Sequence, residues 1–176
     1  MPAPHLAACP TPAQWQTAYN QLKKTGPTKV VQLLTPMVPD FTGYFQISER
    51  FFALLQNLLT VASEAETMQK EGRTQQFEQI KPQLQKVEGE ARAQAAGLQK
   101  QAKGMGTVLR AFATEVQSIQ PKNLGDWKQD QQASIKQVMI VLTQGATWMT
   151  QAATNSIGEA TAYVDKILTM ARGGGR

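Results

Sequence analysis

The chain carries one cysteine and one histidine in 176 residues. Cys9 therefore has no partner for an internal disulfide, and a cysteine-based metal site is excluded. A lone cysteine agrees with a reducing compartment, and the expected location is cytoplasmic. The stretch "MPAPHLAACPTPAQ" lacks a basic region followed by a sustained apolar core, so it is not a classical signal peptide. Export without such a signal stays open. His5 lies in this proline-rich leader and reads as a solvated residue. That leaves no histidine-based triad, no zinc cluster and no Glu-x-x-His pair of the di-iron type.

Charge is also scarce. Only 18% of residues are charged, and the acidic ones do not pair usefully. Glu64 and Glu66 do not share a helix face, nor do Glu88 and Glu90. Asp126 and Asp130 are four apart, near an expected helix start, where acids favour the dipole. No glycine-rich phosphate loop is present: Gly104-Met105-Gly106 falls inside a helical repeat. The expectation is a protein that is not an enzyme, with no metal and no cofactor.

Long apolar runs are missing too. Residues 137–158 contain no charge but hold three Gln and four Thr, and their apolar part is the five residues "VMIVL". A constitutive membrane span is not expected. The net charge of +5 is spread along the chain, with Lys23-Lys24 the one adjacent basic pair. Nucleic-acid binding needs a clustered footprint and is not expected.

What fills the chain is glutamine, alanine and threonine, arranged with helical period. Residues 1–11 read as a flexible tail and 12–39 as a short helical cap. In the cap, Thr11 serves as N-cap before Pro12, and Trp15, Ala18, Tyr19 and Leu22 form one stripe. A docking peptide for another protein is the competing reading of this region. Pro36 and Pro39 are expected to stop regular structure before Asp40. Residues 40–172 read as a long helical bundle, with 173–176 a disordered tail. The first long helix should start near 41 or 48 and end at Gly72.

The second long helix has the sharpest pattern. Phe77, Ile80, Leu84, Val87, Ala91, Ala95, Leu98, Ala102, Met105, Leu109, Phe112, Val116 and Ile119 follow each other at spacings of three and four. This is a heptad stripe with one stutter at 91–95. Pro82 either bends the helix or restarts it. Gly89, Gly97, Gly104 and Gly106 weaken the helix or admit a close neighbour. "QPKNLGDWKQD" makes a turn, and a last helix follows from 124 or 127 to 171. The predicted fold is all-α: an elongated bundle of three long antiparallel helices with coiled-coil-like packing, behind a short N-terminal helical cap.

Four of the six Phe residues fall within 41–59. Folding the long helices about residues 73 and 122 puts 55 level with about 91, and 98 level with about 146. The bulky segment 51–62 then meets levels rich in Ala and Gly, as a densely packed core requires. The face is wide, which suggests two neighbours. Tyr44, Phe45, Phe51, Phe52, Leu55, Leu58, Leu59 and Trp148 are therefore the candidate interface, with the 51/55/58 side inward and the 52/59 side outward.

The expected function is that of a non-enzymatic structural or protein-interaction helical protein, self-associating or part of a larger assembly. The partner is another protein, itself included. One alternative is an amphipathic helical protein on a lipid or polymer surface, a peripheral coat or a pore former. The composition is similar to that of the small helical phasins that coat storage-polymer granules. Another alternative is a non-catalytic accessory subunit of an enzyme complex.

Overall fold

The computed structural model describes residues 2–119 and 127–173. All regular structure among them is helical, with no strand. The expected turn around Pro121, Asn123, Gly125 and Asp126 lies outside the described residues, as do residues 174–176.

Helix α1 spans Pro12–Thr25. Its start is a reciprocal capping box. The Gln14 N–H donates to Thr11 Oγ1 at 3.2 Å, and the Thr11 N–H donates to Gln14 Oε1 at 2.8 Å. Two otherwise orphaned donors are thus satisfied, and Pro12 sits where no N–H is needed. Helix α2 spans Thr28–Leu34, and α3 spans Val38–Lys70.

The prolines expected to break the chain at 36 and 39 do not. A 3-10 turn over Thr35–Met37 joins α2 to α3 with helical backbone throughout. The reason is local accounting. The Val38 N–H takes the Thr35 carbonyl, which is the group that the missing N–H of Pro39 would otherwise have bonded. The long helix therefore begins before position 41, and Ser48 is a buried helical residue rather than a cap.

Helix α3 ends in a two-bond Schellman cap. The Arg73 N–H donates to the Met68 carbonyl at 2.8 Å and the Gly72 N–H to the Gln69 carbonyl at 3.1 Å. Gly72 has φ +69°, a left-handed conformation that costs a residue with a Cβ but not glycine. Helix α4 follows at once and runs over Thr74–Ile119, 46 residues, without a break at Pro82. Helix α5 spans Gln129–Thr147, a single π-turn covers Trp148–Ala152, and α6 spans Ala153–Gly173. At the α5 start, Gln131 Oε1 accepts the Lys128 N–H at 3.0 Å. Asp130 lies in the first turn, where its charge suits the helix dipole.

The chain forms two compact units. One takes in Cys9–Glu49 and Leu98–Thr150. Here α1 lies against α5, and its stripe of Trp15, Ala18, Tyr19 and Leu22 is buried. The Trp15 indole stacks on Phe45 at 5.9 Å between centroids and meets Phe41 edge-on at 5.5 Å. Its N–H donates to Thr42 Oγ1 at 3.0 Å, so the buried polar atom is satisfied. The expected cap helix is thus core to this unit.

The other unit holds Arg50–Gly97 with the described residues of 1–8 and 151–176. Its core includes Phe51, Leu55, Leu58, Phe77, Leu84 and Ile167, each at most 2% exposed. Burying one such side chain contributes about 1.5–3 kcal/mol. Along α4, the heptad stripe is buried at nine positions from Phe77 to Val116, while Ile80, Ala95, Leu109 and Ile119 are half-buried.

Candidate functional site

Each residue of the candidate interface has a definite place. Phe45, Phe51, Leu55, Leu58 and Trp148 are buried within the chain itself, none more than 4% exposed. Tyr44, Phe52 and Leu59 are half-buried. The set does not form one surface patch. It separates along α3 by helical phase: residues 51, 55 and 58 share the inward face, while 52 and 59, one heptad apart, lie at its edge.

Two of these residues explain small residues on other helices. A Cβ placed on Gly145 of α5 would stand 2.7 Å from Phe45 Cε1 and 3.0 Å from Met105 Cε. A Cβ on Gly104 of α4 would stand 2.6 Å from the Tyr44 hydroxyl. The close neighbour expected at Gly104 is therefore Tyr44. Gly89 and Gly97 meet nothing within 4 Å, and Gly106 meets only the Arg110 guanidinium at 3.8 Å. Those three glycines admit no second helix, so the expectation is corrected for them. Gly145 carries the tightest approach, and it was legible only as part of an uncharged segment.

Trp148 and Met149 are buried in the π-turn. A widened turn leaves a carbonyl without its regular partner. Here the Thr150 hydroxyl donates to the Ala146 carbonyl at 2.9 Å, with the Thr147 carbonyl at 3.2 Å.

The main polar constellation was not foreseen. Glu66 is 8% exposed and receives the Tyr163 hydroxyl at 2.5 Å. Lys70, one turn on, meets the same carboxylate at 2.7 Å. Hydrogen bonds from Lys70 and then Tyr163 hold the Glu66 carboxyl below its ordinary range. Burial, and then the Glu66 carboxylate, push the Tyr163 phenol up to about 12. This is the reverse of what a general base or a nucleophilic phenolate needs near neutral pH. The arrangement fixes geometry. Nearby, Gln69 Nε2 donates to the Ile167 carbonyl at 2.8 Å. Arg92 pairs with Glu88 at 2.7 Å and lies 3.6 Å from Asp165.

The other sequence candidates stay apart from this cluster. His5 is exposed in the leader. Cys9 is half-buried, and burial followed by the Glu49 charge pushes its thiol up to about 12. Such a thiol is a poor nucleophile. No group of three metal-ligating side chains occurs among the described residues. No helix there is long and apolar enough to cross a membrane. A shallow groove of about 590 Å³ runs beside Leu59, Ser63, Thr67 and Met68, and a cavity of about 530 Å³ lies between Gln69, Phe77 and Met170. Comparison with protein families, with curated proteins and with solved structures gives no match to this chain.

Proposed function

We propose that the protein is a non-enzymatic helical scaffold that associates with itself or with an assembly partner. In this reading its three long helices form an elongated antiparallel bundle with coiled-coil-like packing, and its place of action is the cytoplasm. One observation carries the reading. Residues 51–63 of α3 contain no charge, and Phe52 and Leu59 stay half-exposed one heptad apart on that run. A surface of Gln, Asn, Thr and Ser around two large apolar side chains can meet another helix with few charges to desolvate.

The test is Phe52→Glu. A charge there should weaken association while leaving helicity intact, because Phe52 is only half-buried. Circular dichroism and sedimentation velocity measure the two effects. Loss of helicity would place Phe52 in an indispensable core. Unchanged size with reduced flotation on anionic vesicles would favour a surface coat instead. Wild-type size and wild-type stability together would sink the interface.

A further inference from the structure

Residues 2–8 belong to a different compact unit from the residues that follow them. They group with Arg50–Gly97, whereas Cys9–Glu49 builds the other unit. The segment has no helix. Pro2, Pro4, Pro10 and Pro12 remove backbone donors and fix φ, so it is extended before it docks anywhere. Pro4 and Leu6 are half-buried, while Ala3, His5 and Ala7 between and beside them are exposed. That alternation is what a strap shows when one side lies on a surface. The expected loose tail is therefore a docked arm.

We propose that this arm is exchanged between two copies of the chain, each inserting its residues 2–8 into the place the other copy's arm occupies here. The occupant needs no new surface. Every contact that seats Pro4 and Leu6 within one chain is available, unchanged, from a second chain. Exchange of an identical element gives a closed, two-fold assembly by a route that creates no unsatisfied face. The stiff Pro10-Thr11-Pro12 sequence is the joint at which the arm leaves, because the Thr11 capping box pins α1 and leaves the preceding residues outside the helix. The preformed extension lowers the ordering cost of docking in either chain.

The inference rests on the self-association proposed above, and its test separates the two. Sedimentation velocity compares the full chain with Leu6→Asp over a range of concentrations, with circular dichroism as a fold control. A labelled synthetic peptide of residues 1–11 is then titrated by anisotropy against both. Leu6→Asp should weaken association at least about tenfold, since a carboxylate replaces a half-buried apolar group. The peptide should bind the Leu6→Asp chain saturably. It should bind the unaltered chain at least about tenfold more weakly, because the tethered arm competes at high effective concentration. If the Leu6→Asp chain associates like the unaltered one, or fails to bind the peptide, arm exchange is wrong while scaffold association stands. If the unaltered chain shows no association at any concentration, the scaffold reading falls, and the exchange with it.

Discussion

The Tyr163 hydroxyl donates to the Glu66 carboxylate at 2.5 Å across 97 residues of sequence. Both residues are buried, at 2% and 8% exposure. Each holds the other in one protonation state, with Tyr163 neutral and Glu66 charged.

Stability should therefore fall at both ends of the pH scale through this pair. Glu66 is lowered from 4.5 in the folded chain. Its contribution is present above 4.5 and lost as the pH drops through the lower folded value. Tyr163 is raised from 10 to about 12, so its contribution is present below 10 and lost as the pH climbs towards 12. Tyr163→Phe should cost about 1.5–3 kcal/mol at neutral pH, the range for a hydrogen bond to a charged group. It should also remove the alkaline loss between 10 and 12. Urea midpoints measured across pH check both, and an unchanged alkaline limb would assign it to other residues.

Gly145→Ala and Gly158→Ala should have opposite signs. Both exchange glycine for a better helix former, a gain of up to about 1 kcal/mol. At Gly158 a Cβ meets nothing within 4 Å, so that gain should appear. At Gly145 the new methyl presses on Phe45 and Met105, and overpacking of this kind costs about 1–3 kcal/mol. Thermal midpoints of the two variants settle it. Stabilisation at Gly145 would mean that Phe45 moves away freely.

Leu98→Ala and Phe112→Ala test the α4 stripe. Leu98 is 3% and Phe112 0% exposed. Each truncation should cost about 2–5 kcal/mol in chemical denaturation. Little loss from either would mean that the cavity collapses at that position.

The helical character and the capping residues could be read from sequence, because both are local. Thr11, Pro12 and Gly72 announce their roles through backbone donors and φ alone. Pro36 and Pro39 misled for an equally local reason: proline is tolerated where a 3-10 turn already uses the carbonyl it would strand. The polar pair was within reach of the same turn arithmetic. Position 66 falls level with 80, and 80 with about 164, one residue from Tyr163. The signal was passed over because a single Glu on a polar stretch looks solvated until its level is matched. Gly145 could not have been found this way, since close approach depends on which Phe rotamer points at it. The docking of residues 2–8 was hidden by prolines, which forbid a helix but do not forbid contact.

The compact cap at Gly72 also orders events in time. Only residues 71–73 separate α3 from α4, so closing that hairpin costs little chain entropy. The Glu66–Tyr163 and Gln69–Ile167 contacts must instead close loops of nearly a hundred residues. Local closures precede distant ones when both are available. The α3–α4 turn should be formed in the folding transition state, and the docking of α6 should come after it. Stopped-flow kinetics then have a definite expectation. Tyr163→Phe should speed unfolding and leave the folding rate nearly unchanged, whereas Gly72→Ala, which strains the early turn, should slow folding. The residue that shuts the structure is thus the one that governs how long it stays shut.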